Sequence, residues 1–112
     1  MKNEAAKIVL AMRTARVAAG WSQAELAANI GVSLPTVTRM ESLGVSMNAT
    51  SIIKAMALFR QSCIEVDMYQ PDAITITINK KAIDKAAAGF ADAINRRDKN
   101  KILRANKMEK TI

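Results

Sequence analysis

GWSQAELAANIGVSLPTVTRME, residues 20–41, holds the signals of a helix, a tight turn and a second helix in one short stretch. Ser22 precedes Gln23-Ala24-Glu25, so its hydroxyl can accept the free amides of a new helix while Glu25, three positions on, completes a capping box. That helix should end near Asn29 to Gly31. Ser33 is a second N-cap, and Pro35 falls in the first turn, where no intrahelical amide bond is lost. The spacing predicts a further helix to about Met40 or Ser42. Ala24, Leu26 and Ala27 offer a small apolar face that lets the two axes approach. Gly31 can take positive φ at the turn, and Val32 and Val37 can plug the angle between the helices. The expected product is a rigid elbow whose second arm exposes Leu34, Pro35, Thr38 and Arg39.

On either side of the elbow the apolar period is helical. Ile8, Val9, Met12, Ala15 and Ala19 recur at three- and four-residue steps, so Asn3 to Ala19 reads as an amphipathic helix stopped by Gly20. After the loop from Leu43 to Met47, Asn48 can cap another helix, with Ile52, Ile53, Met56, Ala57 and Phe59 as its buried stripe. The period then changes to two. Ile64, Val66 and Met68 alternate with Glu65, Asp67 and Tyr69, and beyond Pro71-Asp72 the isoleucines 74, 76 and 78 alternate with Thr75, Thr77 and Asn79. Two half-buried strands joined at Gln70 to Asp72 follow, with strict alternation from 73 to 79. From Lys80 a helical stripe of Ile83, Ala87, Phe90 and Ile94 resumes, weakened locally by Gly89. The remainder, residues 95–112, reads as a frayed helix or a mobile tail.

Composition limits the function classes. Of 112 residues half are apolar, but only four are aromatic (Trp21, Phe59, Tyr69, Phe90), so one thin, largely helical core is expected. There is no His and a single Cys, which removes the commonest general base, the disulfide framework and the thiolate zinc cluster. Asp67, Asp72, Asp84 and Asp92 have no convergent spacing. An enzyme is therefore not expected, nor a metal or cofactor. Cys63 reads as an inert thiol, and the seven Met as packing or ordinary surface. No apolar run approaches a membrane span, and the N-terminus lacks a signal-peptide pattern, so a soluble cytoplasmic protein is expected with no membrane partner. The formal charge of +7 favours an anionic partner, and it is uneven: residues 95–112 hold seven cations and two anions.

The string R-x-x-x-G-x-S-Q-x-E-L-A-x-x-x-G-V-S-x-x-T-V-x-R-x-E, beginning at Arg16, resembles the phage lambda repressor and Cro (Xre) family of helix-turn-helix DNA-binding domains over roughly residues 8–62. The resemblance implies a mainly α chain: a lambda-repressor-like four- or five-helix domain, followed here by a β-hairpin and a C-terminal helix. It implies that the helix from Ser33 enters the major groove of double-stranded DNA and that the helix from Ser22 crosses the phosphate backbone. Gln23 matches the family's Gln that contacts phosphate and braces the base-reading side chain. Ser33, Leu34, Pro35, Thr38 and Arg39 match positions that face DNA, with Thr36 near the backbone. Arg39 is suited to base readout, since its donor fork fits guanine O6 and N7. Leu34 and Pro35 depart from the polar residues common there and suit shape or thymine-methyl contacts. Arg16 and Glu41 match a structural ion pair joining the first helix to the end of the third. Each also has a plainer reading: Ser22 and Ser33 as caps, Gln23 as a solvated first-turn residue, Trp21 as packing between helices one and two.

The resemblance does not reach residues 64–112. The domain expectation is therefore a DNA-binding part at 1–62 and a hairpin with a basic C-terminal helix at 63–112. An isolated hairpin is marginal in water, so the isoleucines need a cover. A second copy would supply it, with Ile74, Ile76, Ile78, Ile83 and Phe90 at the dimer interface and two reading helices about 34 Å apart. For the basic end three readings stay open: a solvated helix end, a DNA-phosphate arm, or a binding segment for an acidic protein. The functional expectation is a repressor that binds an inverted repeat as a homodimer. Its competitor is an antitoxin-like module that grips a small protein through residues 64–112 and autoregulates its operon.

Overall fold

The Ser22 hydroxyl accepts the Glu25 amide at 3.0 Å, and the Ser33 hydroxyl accepts the Thr36 amide at 3.3 Å, which starts two helices where the sequence signals them. In the computed structural model, which describes residues 2–45 and 47–110, these become α2 (Gln23–Ile30) and α3 (Leu34–Leu43). The side chains of Lys2, Ile102 and residues 105–110, part of the basic end, lie outside the described residues. Between α2 and α3, Gly31 at φ +74° takes the left-handed conformation that an L side chain rarely adopts.

Helix α1 (Lys2–Ala19) precedes this pair, and α4 (Ala49–Gln61), capped by Asn48 through the Ser51 amide at 2.8 Å, follows it. The core is where their faces converge: Val9, Met12, Ala15 and Ala19 from α1, Leu26, Ala27 and Ile30 from α2, Val37 and Met40 from α3, Ala55 and Phe59 from α4. Two sequence expectations shift. Ala24 is exposed, so Leu26, Ala27 and Ile30 make the buried side of α2. On α4 the buried stripe is Ser51, Ala55 and Phe59 with Ile52 and Met56 beside it, and Ile53 lies outside it at 69% exposure. A period of 3.6 leaves Ile52 and Ile53 about 100° apart, and only one can face inward.

Strands β1 (Ile64–Asp67) and β2 (Thr75–Ile78) pair antiparallel, with Ile64 opposite Ile78 and Val66 opposite Ile76. This register puts Ile64, Val66, Ile76 and Ile78 on one face and Glu65, Asp67, Thr75 and Thr77 on the other. The first face lies toward α1 and α4: Ile64 is fully buried, and Val66 and Ile76 pack on the core. The chain's own helices thus supply much of the cover that the sequence reading assigned to a second copy. The strands are shorter than alternation predicts. Asp67 turns the chain by accepting the Tyr69 amide at 2.9 Å, and Ala73 and Ile74 belong to the connection rather than to β2. Ile78 remains 43% exposed.

Helix α5 runs from Lys80 to Lys110. Its first turn belongs to the unit ending at Ala82, which is buried in the core, and Ile83 onward forms a second unit. In place of a frayed or mobile tail the basic stretch is helical to Lys110. After Gly89 it contains no Gly or Pro, and Lys, Arg, Leu, Ala and Met lose little side-chain freedom in a helix. All residues of this second unit whose side chains are described are exposed, including Ile83, Phe90, Ile94 and Leu103.

Candidate nucleic-acid interface

The elbow holds α3 by one edge and leaves the other free. Val37 and Met40 are fully buried and Glu41 is 5% exposed, whereas Leu34, Pro35, Thr38 and Arg39 are exposed. The i, i+3, i+4 spacing makes most of this split: positions 37, 40 and 41 share one side of the helix and 35, 38 and 39 turn away from it, while Leu34, in line with 37 and 41, opens the helix and stays 45% exposed. Pro35 costs nothing in the first turn, and Thr38 returns its hydroxyl to the Leu34 carbonyl at 3.0 Å.

A polar clamp sets the orientation of α3 against α1. The Arg16 guanidinium meets both Glu41 carboxylate oxygens, Nε to Oε2 at 2.8 Å and Nη2 to Oε1 at 2.9 Å. Its Nη1 donates to the Trp21 carbonyl at 2.7 Å, tying the chain between α1 and α2 into the same group. Such a two-pronged pair fixes direction as well as distance. Arg13, which carries no local sequence signal for this role, donates Nη2 to the Glu41 backbone carbonyl near the C-terminal end of α3. Arg13 and Arg16 are three apart on α1 and so share a side, but that spacing does not name the acceptor on α3. Trp21 stacks on Phe59 with ring centroids 5.3 Å apart, so the helix it fastens is α4 rather than the gap between α1 and α2 alone.

Gln23, half-buried at the start of α2, extends the clamp toward the exposed face. Its Nε2 donates to Glu41 Oε1 at 3.4 Å, and its Oε1 accepts from the Thr38 hydroxyl at 3.4 Å. The Ser33 and Thr36 hydroxyls lie 2.8 Å apart beside the exposed α3 start. The structure therefore brings together Gln23, Ser33, Leu34, Pro35, Thr36, Thr38 and Arg39 around one end and one face of α3. The groups named for an assembly contact are placed differently: Ile74 and Ile76 are half-buried, while Ile78, Ile83 and Phe90 are exposed.

Among the described residues no cluster of three or more His, Cys, Asp or Glu could hold a metal ion, and no helix is long and apolar enough to cross a membrane. Comparison with curated proteins and with solved structures finds no match. Residues 12–60 match the family model HTH_3, described as Helix-turn-helix. That span runs from the middle of α1 nearly to the end of α4 and contains the whole clamp and elbow. The family is one of DNA-binding regulators rather than of catalysts. This match supports a helix-turn-helix segment of the Cro/C1 (Xre) type at residues 12–60 and, through it, a DNA-binding regulator.

Proposed function

We propose that this regulator is a repressor that occupies an inverted repeat as a homodimer and acts by excluding polymerase from the DNA beneath it. The observation that carries the DNA part of the reading is the two-sidedness of α3, with Val37, Met40 and Glu41 anchored inward and Leu34, Pro35, Thr38 and Arg39 turned out. In this reading α3 lies in the major groove. Arg39 reads a guanine through O6 and N7, and Leu34 and Pro35 offer apolar contact to thymine methyls. Gln23, Ser33 and Thr36 sit where the α2 and α3 N-termini would meet phosphates.

The exposed apolar side chains Ile83, Phe90 and Ile94 on α5 support a protein contact through the C-terminal region. We assign that contact to a second copy, which would space two α3 helices about one DNA turn apart. The same surface supports the alternative reading, an antitoxin-like module that grips a small protein. A stoichiometric small protein co-purifying with the chain would favour that alternative, and a dimeric mass of the pure chain would favour the homodimer.

The deciding experiment is selection of bound duplexes from a random pool, with the wild-type chain and with Arg39→Ala. We expect an enriched palindrome whose preference relaxes at one position per half-site in the variant. Absence of enrichment at any salt concentration would overturn the reading.

A further inference from the structure

Thr38 sits at the exposed end of a hydrogen-bond chain whose direction is set by chemistry at its buried end. The Arg16 guanidinium only donates, and the Glu41 carboxylate it grips only accepts. Gln23 must therefore turn its Nε2 amide toward Glu41, at 3.4 Å, which leaves its carbonyl Oε1 toward Thr38, also at 3.4 Å. The second oxygen near the Thr38 hydroxyl, the Leu34 backbone carbonyl at 3.0 Å, is likewise an acceptor. Thr38 has one hydroxyl proton, and both of its inward neighbours take protons. The proton is committed inward, and the lone pairs remain outward on an exposed side chain.

We propose that Thr38 is a specificity-determining residue that reads a base amino group, adenine N6 or cytosine N4, in the major groove. The inference rests on the placement of α3 proposed above. An incoming amino group finds the Thr38 oxygen ready to accept and disturbs nothing behind it. An incoming guanine O6 or thymine O4 would need the proton, and turning it outward would break the inward bond and leave oxygen facing oxygen. The clamp that orients the helix thus also sets the polarity of what the helix can read. Arg39, whose fork only donates, complements it by reading acceptors.

The test compares the full-length chain with Thr38→Val, which keeps the shape and deletes the hydroxyl, and with Thr38→Ser, which restores it. Thr38→Ala serves in place of Thr38→Val if the latter fails to fold. In selected duplexes, the wild type should show a position in each half-site with a defined base-pair preference, whose adenine N6 or cytosine N4 is the group that Thr38 meets. That preference should vanish in Thr38→Val and return in Thr38→Ser. At that position, replacing adenine by purine, or cytosine by 2-pyrimidinone, removes the amino group alone. Wild-type affinity should then fall roughly 3- to 10-fold, while Thr38→Val should be insensitive to the change. Which analogue has the effect identifies the base. Equal losses for both proteins on amino-group deletion, or no Thr38-dependent position at all, would overturn the proposal. A wild-type chain that enriches no sequence would instead overturn the groove placement itself. Relaxation in Arg39→Ala without any in Thr38→Val would leave that placement standing and remove only the role of Thr38.

Discussion

Glu41 is the residue on which the site's geometry turns. It is an acidic side chain nearly closed off from water, and it is tolerated because Arg16 meets both carboxylate oxygens and Gln23 approaches one of them. Removing Arg16 strands that charge. Arg16→Ala should lower stability by about 3 to 5 kcal/mol, read as a shift in urea midpoint with unchanged slope. Arg13→Ala should cost far less, about 1 kcal/mol or below, since the Arg13 side chain is 47% exposed and its guanidinium stands 3.9 Å from the carboxylate. Equal losses for the two variants would show that Arg16 is not the principal anchor. Arg39 presents the opposite case. It is exposed on α3, so Arg39→Ala should leave the melting temperature nearly unchanged while costing about 1 to 3 kcal/mol of discrimination at one base position per half-site. Thermal melts run beside the binding selection separate the two effects.

Between elements, the elbow depends on one backbone conformation and one ring contact. A Cβ added at Gly31 would stand 3.7 Å from Lys54 Nζ, an ordinary contact, so space is not the obstacle. The obstacle is φ +74°, and Gly31→Ala should cost about 1 to 2 kcal/mol from backbone strain alone. Chemical denaturation checks this value, and a loss well beyond it would mean that the α2–α3 angle had changed. Phe59 is fully buried and carries the stacked Trp21, so it joins α4 to the segment entering α2. Phe59→Ala should remove about 3 to 5 kcal/mol. Because Trp21 is the sole Trp, its fluorescence reports the loss of that ring contact directly. The hairpin belongs to the same body through Ile64, Val66 and Ile76, which extend the core beyond the residues matched by the family model.

At the scale of the whole molecule, net charge concentrates in the C-terminal region, which also exposes apolar side chains. Residues 95–112 carry seven cations and two anions, and Ile83, Phe90 and Ile94 stand exposed on the preceding turns of α5. If α5 supplies the assembly contact, Phe90→Asp should shift the chain from dimer to monomer in sedimentation while leaving the helical signal of residues 2–82 folded. A dimer that persists would move the contact elsewhere. If the basic end is a phosphate arm, truncation after Arg97 should weaken binding about equally on all sequences. Each lost contact should then lower the slope of log affinity against log salt by about one unit. An unchanged slope would assign these cations to solvation alone.

Local chemistry carried much of this far. The caps at Ser22, Ser33 and Asn48, the tolerated Pro35 and the positive φ at Gly31 depend on residues within a few positions of one another, so the sequence alone located α2, α3 and α4 and the turn between them. The resemblance to a known family pointed to the pairing of Arg16 with Glu41, which is 25 positions away and has no local signature. Other features needed the packed chain. Which of Ile52 and Ile53 faces inward depends on where α4 meets its neighbours, and alternation could not reveal that the hairpin lies against α1 and α4. Nor could spacing show Arg13 on the Glu41 carbonyl, or Gln23 linking Glu41 to Thr38, since these contacts join helices whose relative angle is a tertiary quantity. Periodicity specifies that a face is apolar or polar, whereas only packing against other elements decides what that face meets.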